Sequence, residues 1–192
     1  MVPVRAATLS DLDTVVTLRL ALLHEAHESP VYGRLRTDVV RLARQLYRAQ
    51  LESPSELTLL AELDGAVIGI LRCVEANGHP LLEPDRYAYV SSVYVVPSAR
   101  RKGVVRALLG RATQWCRDRE LDEMRLHSAA ASSPANATWD ALGFTVVEHL
   151  RVCRVPPRPS KRPAAEQATA GVGKPGQRAT ATRTAARAPV ER

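Results

Sequence analysis

The sequence predicts an α/β fold, a mixed central sheet of about six or seven strands flanked by four helices. Three observations carry it. Tyr87–Leu109 reads as a strand, a tight turn and a helix in immediate succession. Leu57–Leu63, Asp64-Gly65 and Ala66–Val74 read as a hairpin, because Asp-Gly supplies the positive φ angles of a two-residue turn. A further apolar run, Met124–Ala129, follows the helix, and a strand–helix–strand unit implies parallel pairing through a crossover.

In chain order, Val2–Ala7 alternates enough for a first strand. Ser10 opens a helix, with Asp13 at capping-box spacing and Leu12, Val15, Val16, Leu20 and Leu23 as its apolar stripe. A second helix is expected over about 35–51, with Val39, Leu42, Leu46 and Ala49 on one face. Between them, His24, Glu25, His27 and Glu28 suggest a metal site. The two histidines are three apart rather than four and no third ligand is near, so a solvated helix end is the better reading and no metal is expected. After the hairpin, Gly78, Pro80 and Pro84 mark a loop.

Val90, Val93, Tyr94, Val95 and Val96 favour an extended strand that Pro97 must end, since proline has no N–H for a ladder. From Gly103 the apolar residues Val104, Val105, Leu108, Leu109 and Ala112 fall at helical spacing, and the helix is expected to reach about Arg119. Free N–H groups at its start, a glycine, and Arg100, Arg101, Lys102 and Arg106 together form a cradle for a pyrophosphate. Pro134 begins a last helix through Trp139 to Leu142, Gly143 caps it, and Phe144–Val155 is expected to return as a strand.

The 192 residues fit one domain over 1–155 and a disordered tail over 156–192. The tail carries eight basic and two acidic side chains, so it accounts for +6 of the net charge of +7 and leaves the body near neutral. It has no Leu, Ile or aromatic residue with which to offset its ordering entropy. Counterion release is a route by which it could bind nucleic acid, but its charges are sparse and lack interleaved aromatics, which favours a solvated tail. No apolar run reaches the length of a membrane span and no leader-like segment opens the chain, so a cytoplasmic protein without membrane contact is expected. Cys73, Cys116 and Cys153 lie in apolar patterns without metal-ligand spacing and are expected to be buried, reduced thiols.

Arg100-Arg101-Lys102-Gly103-Val104-Val105 resembles motif A of the GNAT superfamily of acyl-CoA-dependent N-acetyltransferases: Gln or Arg, two variable residues, Gly, one variable residue, then Gly or Ala. Asn136–Phe144, NATWDALGF, is similar to the family's motif B ending in Leu-Gly-Phe, and the likeness covers about residues 2–155. The resemblance implies the GNAT fold and acetyl-CoA as cosubstrate. It implies that the cofactor's arm pairs with strand backbone near Val93 to Val95, with Asn136 approaching it, and that an amine attacks the thioester directly. The acceptor would be a small molecule, peptide or protein, with the segment holding His24 and Glu28 lining its site.

The sequence departs from the family at three places. Val105 stands where Gly or Ala gives the phosphates room. Many relatives carry a carboxylate base on the central strand, where this chain has Ser91 and Ser92, either of which would hold a relay water or be a strand filler. His127, on the next strand, is a candidate base or a structural histidine. Trp139 replaces the family's acid tyrosine, and indole cannot usefully give up its proton. A catalytically weak acyl-CoA-binding or interaction module therefore stands as the alternative. Family members often dimerise, so a homodimer is open, but no stretch of this chain identifies an interface.

Overall fold

Asp64 and Gly65 both take positive φ, 51° and 78°, which turns β2 (Glu56–Leu63) directly back into β3 (Ala66–Asn77). In this computed structural model, which describes residues 2–156, the two strands form the centre of a five-stranded sheet of order β1-β2-β3-β4-β5. β1 (Val4–Ala6) pairs antiparallel with β2, β4 (Arg86–Val95) antiparallel with β3, and β5 (Met124–Leu126) parallel with β4. The crossover from β4 to β5 is α3 (Val104–Arg117).

Both faces of the central strands are covered. Leu59 and Leu71 face α3, packing with Cys73, Val90, Leu108, Ala112 and Trp115. Their neighbours Leu60 and Ile70 face the opposite way, against Val15, Val16 and Leu18 of α1 (Leu12–Glu25) and Ala43 and Tyr47 of α2 (Val39–Glu52). Leu59, Leu60, Ile70 and Leu71 are at most 1% exposed, and each such side chain contributes about 1.5–3 kcal/mol. This is why β2 and β3 read as near-continuous apolar runs rather than clean alternation. Gly69 seats α3 on the sheet: a Cβ there would lie 2.9 Å from Val104 Cγ1 and 3.3 Å from the Tyr94 carbonyl oxygen.

Several expectations need correction. The sheet has five strands, not six or seven, and β5 stops at Leu126 instead of Ala129. Phe144–Val155 forms no strand; Val146, Val147 and Leu150 are at least 71% exposed. The segment has the alternation of a strand, but a strand also requires a ladder, and the adjoining sheet edge is the three-residue β5. Cys153, in that segment, is exposed rather than buried, whereas Cys73 and Cys116 are buried.

α1 is entered through a 3-10 turn at Leu9–Asp11, and the capping pair is Thr8 with Asp11, not Ser10 with Asp13: the Thr8 N–H donates to Asp11 Oδ2 at 2.8 Å. Asp13 instead pairs with Arg44 of α2. α2 starts at Val39 and buries Ala43 and Tyr47, while Leu46 lies outside, because the Tyr47 ring fills the seam with α1 and takes a hydrogen bond from Arg19 Nε at 3.2 Å. α4 (Ser133–Ala141) is closed by Gly143 at φ 90° as expected. Apart from Pro156, the expected tail 156–192 lies outside the described residues.

Candidate active site

β4 is irregular where the chemistry is expected. Ile70 lies opposite Tyr94 and Arg72 opposite Ser91, so Leu71 alone faces two residues, Ser92 and Val93. That is a β-bulge, and Ser92 sits in it at φ 64°, a left-handed conformation that costs a non-glycine residue about 1–2 kcal/mol. The other edge of β4 opens at the same point. Only Ala88, Tyr89 and Val90 pair with Met124, Arg125 and Leu126; beyond Val90 and Leu126 the two parallel strands separate into a fork. From Ser91 to Val95 that edge therefore has no strand beside it among the described residues, which leaves backbone groups to pair with an extended ligand. The Val95 carbonyl is already taken by Arg100 Nε at 3.0 Å.

After β4 the chain makes a 3-10 turn at Pro97–Ala99, passes Arg101 at φ 60°, and enters α3 through Gly103 at φ 77°. A Cβ on Gly103 would have nothing within 4 Å, so the space above the turn is open. The N–H groups of Val104, Val105 and Arg106 have no intrahelical acceptors and point toward that space. Arg101, Lys102 and Arg106 are exposed around it. The turn thus fits a pyrophosphate: open room, backbone donors, and three cations. The Val105 side chain packs partly into the α3 core instead of lying wholly over the turn.

Arg100 is placed otherwise. Its Nη2 donates to both Glu25 oxygens, at 2.6 and 2.8 Å, and its guanidinium lies 5.7 Å from the Tyr94 ring centroid. It ties the end of α1 to the end of β4, and its charge is already matched. His24 and Glu28, beside Glu25, are exposed, and no contact brings them to the fork. The Glu28 side chain is 90% exposed and lies 3.9 Å from His27 Nε2. Among the described residues no group of three or more His, Cys, Asp or Glu is arranged to hold a metal.

On the α1/α2 side of the sheet, Arg72 Nε donates to Glu56 Oε2 at 2.6 Å and its Nη1 to Ser91 Oγ at 3.2 Å, and Ser91 Oγ lies 3.4 Å from Ser92 Oγ. His127 is the first residue beyond the fork, and its Nδ1 is 2.7 Å from Tyr89 Oη. Burial, followed by the Tyr32 and Tyr87 phenols, pushes the Tyr89 hydroxyl above its ordinary pKa, with Arg72 opposing. Asn136 donates through Nδ2 to the Ala129 and Ala130 carbonyls, at 3.2 and 3.3 Å, and so fastens the loop after β5. Trp139 packs edge-on against Phe144, centroids 5.6 Å apart.

Tyr89, Arg72 and Glu25 escaped the sequence reading as site residues. Tyr89 had a signal: it stands two residues before Ser91, hence on the same strand face. Glu25 lay in the His/Glu cluster weighed for a metal, and nothing local pointed to Arg100, 75 positions on.

Residues 20–144 match the model of the acetyltransferase (GNAT) family. The chain belongs to that family. It is 32% identical over 106 residues to an aminoglycoside N(6')-acetyltransferase type 1 of Klebsiella aerogenes, an alignment covering 54% of this chain and 68% of that protein. Among solved structures it is similar to a predicted acetyltransferase from Clostridium acetobutylicum with acetyl-CoA, at TM-score 0.65 and 17% identity over 80% of this chain and 96% of that one. It is also similar to an aminoglycoside 6'-N-acetyltransferase from Acinetobacter haemolyticus, at TM-score 0.65 and 21% identity over 80% and 98%. Despite the absent sixth strand, the α/β architecture is that of the GNAT fold. The protein is an acetyl-CoA-dependent N-acetyltransferase.

Proposed function

We propose that this GNAT enzyme acetylates a primary amine of a small, amine-rich acceptor of the aminoglycoside type. The observation that carries the reading is the bulge and fork of β4 set directly before the open Gly103 turn. The identity to the Klebsiella enzyme supports the acceptor class.

In this reading, the N–H groups of Val104, Val105 and Arg106, with the Arg101, Lys102 and Arg106 side chains, hold the pyrophosphate of acetyl-CoA. The β4 edge at Val93 and at the N–H of Val95, whose carbonyl Arg100 holds, pairs with its arm. Bound there, the cosubstrate supplies a thioester carbonyl as electrophile. An alkyl ammonium has a pKa near about 10.4 and must lose a proton before its nitrogen can attack. His127, at the fork, accepts that proton through Nε2, while Ser91 and Ser92 orient water or the acceptor. Arg72, neutralised by Glu56, keeps Ser91 in place. No acid is required at Trp139, because a thiol of pKa near about 8.5 is a tolerable leaving group.

The test is a panel of aminoglycosides and simple diamines incubated with the full chain and acetyl-CoA, followed by mass spectrometry and thiol release. One acetyl group added per thiol released, with aminoglycosides turned over at higher kcat/KM than diamines, is expected. Equal or better use of unrelated amines would overturn the acceptor class.

A further inference from the structure

We propose that Tyr89 is a positioning residue for His127, holding the imidazole so that Nε2 faces the fork; the proposal rests on the reading of His127 as the base. Tyr89 lies in the ladder opposite Arg125, and His127 follows two residues later, just past the last paired residue of β5. The hydrogen bond between Tyr89 Oη and Nδ1 therefore spans the base of the fork, 38 positions apart in sequence, at 2.7 Å. The rings meet edge-on, centroids 5.5 Å apart at 63°. Two contacts to one ring fix both its position and its rotation.

With Nδ1 engaged, Nε2 has no hydrogen-bond partner among the described residues and is the nitrogen left for chemistry. Three charged or titratable groups act on the Tyr89 hydroxyl. Tyr32 comes from the α1–α2 connection, Tyr87 from β4 and Arg72 from β3. Arg125, on His127's own strand, is turned aside to Glu123 at 2.5 Å and to the Tyr87 ring at 4.0 Å. The Tyr89 hydroxyl stays protonated throughout the range in which a histidine titrates, since burial raises its pKa from an already high value. It cannot compete for the substrate's proton, but its oxygen accepts from Nδ1–H whenever the ring carries two protons.

The step balances as follows. The acceptor ammonium gives one proton to Nε2, leaving the imidazolium held by Nδ1–H to Tyr89 Oη. The freed nitrogen lone pair forms the C–N bond, the C–S bond breaks, and the sulfur takes the second nitrogen-bound proton. Nε2 then returns its proton to water. The products are one amide, one thiol and one released proton.

The experiment compares the full-length parent, Tyr89→Phe and His127→Gln. Tyr89→Phe keeps the ring and its packing and removes only the hydroxyl, so its thermal unfolding should match the parent. The tautomer of the His127 ring is read from its NMR nitrogen shifts, independently of turnover, and kcat and KM are measured with an aminoglycoside acceptor. In Tyr89→Phe the ring is expected to lose its single tautomer and to show both the Nδ1–H and the Nε2–H form. kcat should drop several-fold, with KM for acetyl-CoA unchanged. An unaltered His127 tautomer and an unaltered kcat in Tyr89→Phe, beside an inactive His127→Gln, would overturn the positioning role alone. Full turnover by His127→Gln would overturn the reading of His127 as base, and the positioning role with it.

Discussion

Arg100 grips Glu25 with one nitrogen on both carboxylate oxygens, 2.6 and 2.8 Å away, and so pins the C-terminal end of α1 against the strand that leads into the phosphate turn. The two side chains are 45% and 43% exposed, so solvent screens the pair and its worth is about 0.2–1 kcal/mol.

That engagement separates Arg100 from its neighbours. Arg100→Ala is expected to lower the melting temperature slightly and to change acetyl-CoA affinity less than twofold. Lys102→Ala, which removes a cation with no competing carboxylate among the described residues, should weaken affinity several-fold at low salt, with the difference shrinking as salt rises. Thermal unfolding and calorimetry at two ionic strengths check both.

Gly69 is expected to tolerate no side chain. In Gly69→Ala the new Cβ meets Val104 Cγ1 at 2.9 Å, and overpacking of this kind costs about 1–3 kcal/mol. Val104→Ala in the same chain should recover part of that loss. Denaturant unfolding of the two singles and the double gives the coupling, and strict additivity would contradict the contact.

Asp11 should control stability at acid pH. The hydrogen bond from Arg5 is the main cause that holds its carboxyl well below the usual range, and Thr8 adds to it while burial opposes. The folded-state pKa is depressed, so the stabilisation is present above the unfolded value of about 3.9 and is lost as pH falls below it. Asp11→Asn should be less stable than the parent at pH 7, by about 1 kcal/mol given Arg5's exposure, and the gap should narrow steadily as pH falls below about 4. A constant difference across that range would contradict the linkage.

Local chemistry made most of the fold readable in the sequence. Asp64-Gly65 and Gly103 require particular φ signs, and Pro97 and Gly143 end elements for steric reasons, so each announces itself within a few residues. What depended on distant partners was not readable. Phe144–Val155 alternates like a strand but finds no ladder, and the stripe of α2 is displaced because Tyr47, not Leu46, fits the seam with α1. The site divides in the same way. The turn at Gly103 is contiguous in sequence, so its glycine and the helix start after it were legible; the Arg100–Glu25 and Tyr89–His127 contacts join positions 75 and 38 apart and depend on the folded chain.

The central claim is that the turn at Gly103 holds acetyl-CoA, and calorimetric titration of the full chain with acetyl-CoA tests it most directly, beside Gly103→Ala and Gly103→Glu. Open space surrounds the glycine, so Ala adds only the strain of a positive φ, whereas Glu places bulk and negative charge where the phosphates would lie. Micromolar binding in the parent, reduced modestly in Gly103→Ala and abolished in a folded Gly103→Glu, is the predicted result. Equal affinity in Gly103→Glu and the parent, or no binding by the parent at all, would contradict it.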